Sequence, residues 1–410
     1  SNAAYCENPD GSGAYGFYWP IELNQTRPEV IHFSGWSRAE GIDGAPNSDY
    51  SLYVDIIYQD GTPLWGQNVP FSVGDHDWEQ KEVVVVPEKA IRSLSCYALF
   101  RNQKGRVWFD DLLIHVMKTP EGLQSIDSLP AYILNPATAP ETTTERKSED
   151  GFAVSLHPQD GRIAGLTANG QAVPLSHAPS GFLVRDVAAG SDYYPLTQGQ
   201  AKPLGLELQF TAEARRNAIY FKGTLTDLTR KPRAVSLIYA VPLEAGGWQW
   251  WDHLRESRPV QESEEYTNSV TIGTGTKGKL SRYPFACLTS DTAGMALGID
   301  LGFPAQWRLG YSAGLKLFYI AFDFSLHPAT ERFPSQAPFA FVLYQADSSW
   351  GFRAAAEKYY RIFPAYFEVR SPDQGIWMPF TDVGTVQGWP DFGFKYHEGN
   401  NNLRFDDENN

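Results

Sequence analysis

The chain has 410 residues, of which 42% are hydrophobic and 20% charged; this excludes a disordered polymer and leaves room for two or three domains of roughly 150 residues each. A formal net charge of -14 and the lack of any Lys/Arg cluster exclude the electrostatic footprint that phosphate contacts require, so nucleic acid is not an expected partner. No apolar run approaches the ~18 to 20 residues that span a bilayer.

From the N-terminus, residues 30–36, 50–58, 81–86 and 106–114 are rich in β-branched and aromatic side chains, with turn residues such as Asp60 and Gly61 between them. This spacing predicts a β-sandwich over residues 4–117. Aromatic residues make up 14% of the chain, including 12 Trp, more than a core of this size demands. Such an excess marks either many packed β-layers, with plain core accounting for most of the rings, or flat platforms for sugar rings; with the acidic charge balance, the expected partner is a carbohydrate, a neutral oligo- or polysaccharide.

The run Phe33, Ser34, Gly35 and Trp36, then Asp77, Trp78 and Glu79 before a valine strand, then the closing run Val107 to Leu112, resemble the jelly-roll carbohydrate-binding modules attached to glycoside hydrolases. The resemblance covers about a quarter of the chain. It implies glycan contact at Trp36 and Trp78, with Tyr53 and Trp65 as further candidates for a platform. It also implies a structural calcium on the closing strand at Asp110 or Asp111, since carboxylate oxygens suit that hard cation. The other reading of that pair is two strand-end carboxylates facing water. No cofactor is otherwise expected.

Residues 118–149 are rich in Pro, Thr and charge and are predicted to be an extended connector that leaves its neighbours as separate folding units. Residues 150–346 return to strand after strand, with period-two or fully apolar runs at 152–156, 206–210, 218–223, 234–241, 294–300 and 339–344. One large two-sheet unit is expected. It resembles the galactose-mutarotase-like supersandwich that precedes the (β/α)8 barrel in several glycoside hydrolase families. A helix is predicted within residues 350–367, and barrel-like strand runs follow at 375–380 and 391–398. The expected fold is therefore mostly β: a jelly-roll sandwich, a supersandwich, a helical linker and, over 347–410, the start of a barrel whose remainder lies beyond this sequence. Ser1, Asn2 and Ala3 resemble an expression-tag scar, which leaves room for a removed signal peptide and an extracellular or periplasmic setting.

The densest candidate for ligand contact is Trp248, Trp250 and Trp251 with His253, Arg255 and Arg258, a mixture that stacks on sugars and bonds their hydroxyls. The alternative is a packing loop between domains. Asp391, His397 and Glu398 lie around the presumed first barrel strand, whose C-terminal end would face an active site. The glycine-rich run 273–278 is read as a hairpin turn, because the alternating residues after it cannot supply the helix N-terminus of a phosphate loop. Cys6, Cys96 and Cys287 are read as buried thiols, with a Cys6–Cys96 bridge as the alternative.

Glycoside hydrolysis needs two positioned carboxylates. In the families this sequence resembles they come from later barrel strands, so no catalytic pair is assigned. The reading is an accessory, glycan-binding N-terminal region of a secreted glycoside hydrolase. The alternative is a non-catalytic glycan-binding or cell-surface protein. A sugar epimerase using His253 or His327 is the third, without a recognisable motif.

Overall fold

The computed structural model describes residues 3–117, 123–132, 142–178, 180–187, 189–262, 264–272, 278–303, 305–370, 375–378, 380 and 382–397. It divides into two compact units, Ser1–Ile362 and Phe363–Asn410. The fold is mostly β, and its sheets are antiparallel apart from one small pair.

The first eight strands are β1 (Ala4–Asn8), β2 (Ala14–Glu22), β3 (Val30–Ile42), β4 (Tyr50–Tyr58), β5 (Pro63–Pro70), β6 (Gly74–Val85), β7 (Ile91–Arg101) and β8 (Gly105–Met117). They form two four-stranded sheets, ordered β1-β8-β3-β6 and β2-β7-β4-β5. Period-two patterning decides which side faces in: Tyr50, Leu52, Val54 and Ile56 of β4 are fully buried, as are Ala98 and Phe100 of β7. They pack with Phe33 and Phe109 from the facing sheet. Cys6, Cys96 and Cys287 are buried and free.

Inside the connector, β9 (Leu123–Ile126) and β10 (Leu129–Tyr132) form a hairpin. Its turn residues Asp127 and Ser128 both have positive φ, 55° and 56°, a conformation usually given to Asn-Gly. Glu265 supplies the compensation: it accepts hydrogen bonds from the amides of Asp127 (2.5 Å) and Ser128 (2.8 Å) and from the hydroxyls of Ser125 (2.8 Å) and Tyr319 (2.7 Å). A single carboxylate thus ties the connector to the next domain.

That domain is built on two large sheets. One has six strands, in the order Tyr194–Pro195, Gly181–Asp186, Arg233–Pro242, Leu317–Leu326, Gln306–Ser312 and Glu265–Thr267. The other has eight, with Ile219–Asp227, Gln336–Gln345 and Gly294–Ile299 at its centre and the hairpin of Gln249–His253 and Glu256–Pro259 at one edge. Phe221, Phe339, Phe341, Leu237 and Ile320 fill the space between them. The predicted helix is α1 (Phe352–Ile362), lying on the eight-stranded sheet with the Phe352 ring 4.9 Å from that of Phe285. Gly298 allows this approach, because a Cβ there would stand 2.9 Å from the Tyr359 ring.

Both β domains fall in the one compact unit. The unit Phe363–Asn410 carries the parallel pair Ile376–Met378 and Phe394–His397, joined through short 3-10 turns. Ile376, Trp377, Phe392 and Tyr396 are exposed there.

Candidate functional site

The outer face of the β2-β7-β4-β5 sheet carries an aligned row of rings. Because Ala98 and Cys96 of β7 point inward, Tyr97 points out; the same alternation turns Tyr53 of β4 outward between Leu52 and Val54. Strand register then sets Tyr18 opposite Tyr97, Tyr97 opposite Tyr53 and Tyr53 opposite Asn68 of β5. Ring centroids are 5.0 Å apart for Tyr18 and Tyr97, tilted by 34°, and 5.7 Å for Tyr53 and Tyr97, edge to face at 81°. Trp65 of β5 stands on the same side and is 59% exposed.

Polar groups border the rings. Asp55, two residues along β4 from Tyr53, lies opposite Ser95 and accepts a hydrogen bond from the Gly66 amide at 2.9 Å. Asn68 donates to the Gly66 carbonyl at 2.8 Å, which orders the bend of β5 beneath Trp65. Burial, and then the Asp55 charge, push the Tyr53 and Tyr97 hydroxyls above the ordinary tyrosine range, so both remain protonated donors at neutral pH. The result is an apolar strip of three rings edged by a carboxylate and an amide. Such a strip can take the face of a pyranose ring and bond its equatorial hydroxyls.

The residues singled out from sequence are scattered by comparison. Trp250 is fully buried and Trp248 is 8% exposed; both belong to the core of the second domain and offer no free ring to a ligand. Strand alternation in the edge hairpin turns Trp250 inward, where its indole donates to Asp252 at 3.2 Å. Trp251 is half-buried and donates to Thr289 at 2.9 Å. Arg258 pairs with Asp252 through two bonds of 2.6 and 3.0 Å and lies over the Tyr266 ring. His253 faces Glu256 at 3.2 Å, and Arg255 is exposed. This stretch closes one end of the core, so its wealth of indoles reflects packing.

Trp36 and Trp78 lie on β3 and β6, in the sheet opposite the tyrosine row. Trp36 is half-buried, with Asp110 opposite it across the β3–β8 pairing. Asp110 accepts a bond from the Asp111 amide at 2.9 Å, where β8 bulges and Asp111 takes φ 48°. Among the described residues no group of three or more His, Cys, Asp or Glu side chains is placed to hold a metal, so calcium at this bulge would need backbone carbonyls or water for most of its shell. Asp391 is exposed in a 3-10 turn, and His397 ends the last strand. Glu398 and residues 273–277 lie outside the described residues.

Tyr18 and Tyr97 were not legible as site residues. Tyr53 and Trp65 were visible as candidates, but only the pairing register shows that three tyrosines share one row.

No protein-family model matches the chain. Over 88 residues, 21% of the chain, it is 32% identical to the tRNA nuclease WapA of Bacillus subtilis (strain 168). It is 31% identical over 87 residues to the tRNA3(Ser)-specific nuclease WapA of Bacillus spizizenii. The matched part spans 4% of the length of each of these curated relatives. Among solved structures, a family 16 carbohydrate-binding module is similar over 28% of this chain and 75% of its own, at 12% identity and a TM-score of 0.22. The GH36 alpha-galactosidase AgaA of Geobacillus stearothermophilus is similar over 58% of this chain and 45% of its own, at 12% identity and a TM-score of 0.36. Likenesses this loose assign no function, which has to come from the residues themselves.

Proposed function

We propose that this chain binds a neutral polysaccharide on the outer face of the β2-β7-β4-β5 sheet. The observation that carries the reading is the in-register row of Tyr18, Tyr97 and Tyr53, with Asp55 and Asn68 at its edge and Trp65 beside it. Tyr18 and Trp65 are exposed and Tyr53 and Tyr97 half-buried beside them; open ring surface of this kind is covered favourably by a partner, and one that matches tilted apolar rings bordered by hydrogen-bonding groups is a chain of sugar rings.

The finer reading is that the chain is the accessory N-terminal region of an extracellular or periplasmic glycoside hydrolase, with a linker helix and the beginning of a barrel in residues 347–410. Two features support it. Parallel strand pairs belong to α/β units whose faces are covered by helices, and the pair of Ile376–Met378 and Phe394–His397 is parallel while Ile376, Trp377 and Tyr396 are exposed. In this reading hydrolysis requires carboxylates from later strands, and the two β domains hold and present the substrate.

The test is affinity electrophoresis of the chain in gels containing xyloglucan, galactomannan, arabinoxylan, mixed-linkage β-glucan or pectic galactan. Retardation in at least one gel, weakened at least tenfold in apparent affinity in Tyr97→Ala, supports the reading. Equal mobility in all five and in a sugar-free gel counts against it.

A further inference from the structure

The same sandwich has a cleft of about 980 Å³ on its other sheet, β1-β8-β3-β6, with Arg38, Glu40, Asp75, His76, Lys104 and Arg106 among its lining residues. Two outward rows run side by side across three strands here. One is Glu7, Arg106 and Glu40; the next is Tyr5, Trp108 and Arg38. Glu40 of the first row bonds Arg106 of the same row at 2.9 Å and Arg38 of the second at 2.8 Å, so the charges offset one another across the two rows. In the second, the Tyr5 and Trp108 rings are 5.2 Å apart and Tyr5 is 47% exposed.

The cleft wall is also anchored from within. Ser37 and Tyr50, both fully buried, are joined at 2.6 Å; Ser37 donates to the Trp108 carbonyl at 2.9 Å, and the Tyr50 hydroxyl meets His76 Nε2 at 3.3 Å. His76 Nδ1 lies 2.7 Å from the Asp77 carbonyl, so both ring nitrogens are engaged and the imidazole is held in place. Asp75 accepts the Gly41 amide at 2.6 Å. A polar chain running from the core to fix a surface imidazole is costly to bury and makes a preorganised wall.

Resting on the carbohydrate reading above, we infer that this cleft is a second glycan subsite, so that the sandwich grips polysaccharide on both of its outer faces. The chemistry selects a neutral polyhydroxyl chain: donors and acceptors alternate along the row, their charges compensate, and Tyr5 offers a ring beside them. A strongly anionic sugar would meet Glu7, Glu40, Asp75 and Asp77 as well as the basic groups, and gains no net attraction. Two sites on one domain raise retention on an insoluble or branched polymer through effective concentration.

The experiment separates the two sites in the full chain. Affinity electrophoresis in the same five polysaccharide gels compares wild type, the double variant Tyr53→Ala with Tyr97→Ala, and that double variant carrying Gly41→Asn or Arg106→Ala. Gly41 has φ 68° and open space at its Cβ, so Asn, which tolerates this backbone, would place a side chain at the cleft without a clash. Circular dichroism confirms the fold of each variant, and Arg106→Ala serves if Gly41→Asn folds poorly. The proposal expects the tyrosine double variant to lose at least tenfold in apparent affinity yet remain retarded in one gel, with the residue removed by either cleft substitution. Complete loss in the tyrosine double variant overturns the second subsite and leaves the tyrosine face standing. Residual retardation indifferent to both cleft substitutions also overturns it. Wild type moving freely in every gel removes both.

Discussion

Arg308 and Asp127 stand 181 residues apart in sequence and meet in a two-bond ion pair of 2.6 and 2.8 Å, each side chain 2% exposed. Asp323 completes the cluster at 2.7 and 2.8 Å from the same guanidinium, and Ser236 bonds Asp323 at 2.7 Å. The pair joins the turn of the connector hairpin to the six-stranded sheet, and the first domain adds Glu88, whose carbonyl accepts the Glu265 amide and whose carboxylate meets Lys279 at 3.1 Å. The connector therefore works as a clamp.

Removing one member of such a cluster leaves a buried charge without its partner. Asp127→Ala or Arg308→Ala should each cost about 3 to 5 kcal/mol in urea denaturation. Changing Arg308, Asp127 and Asp323 together to apolar residues of similar volume should cost much less. Single-site losses under 1 kcal/mol would mean that the clamp is dispensable.

Glu265 gives the clamp a pH dependence. Burial, and then the nearby Glu88 charge, push its carboxyl up to about 7 against the bonds donated by Tyr319 and Ser125. A folded value above the ordinary one contributes stability that is full below about pH 4.5 and is lost as pH rises through 7. Raising pH from 5.5 to 8 should therefore remove on the order of 2 kcal/mol. Asp60, held down to about 2 by Lys89 and Thr62 despite partial burial, acts only at much lower pH. Thermal melts of wild type and Glu265→Gln across this window check the sign: the wild-type Tm should fall with pH and the variant should stay flat.

The two indole populations should separate cleanly. Trp250→Ala opens a large hole in the second domain and should cost about 3 to 5 kcal/mol. Trp65→Ala removes an exposed ring and should leave the melting temperature nearly unchanged while weakening polysaccharide retardation. Equal stability losses at the two positions would contradict the burial assignment.

On the accessory-region reading proposed above, aryl glycosides and the five polysaccharides incubated with this chain should release no reducing ends, since that reading takes the carboxylate pair from later barrel strands. Turnover abolished by changing a carboxylate within residues 150–346 would move catalysis into the second β domain.

What sequence disclosed follows the range of the forces involved. The strand at residues 50–58 was legible because burial alternates residue by residue, and α1 because its apolar spacing is helical. The tyrosine row was not, since register is set by strand pairing between residues as far apart as Tyr18 and Tyr97. The hairpin in the Pro/Thr-rich connector was hidden for a related reason: its turn is stabilised by Glu265, 138 residues away from Asp127. Composition misled at Trp248 and Trp250, because a cluster of indoles reads the same whether it meets a ligand or fills a core.

Isothermal titration of the chain with an oligosaccharide cut from whichever polysaccharide retards it most, repeated for Tyr97→Ala, bears most directly on the tyrosine row as a glycan platform. Tyr97 sits between the other two rings, so its loss should weaken binding at least tenfold, about 1.4 kcal/mol, with an unchanged melting temperature. Wild-type affinity in a folded Tyr97→Ala protein would contradict it.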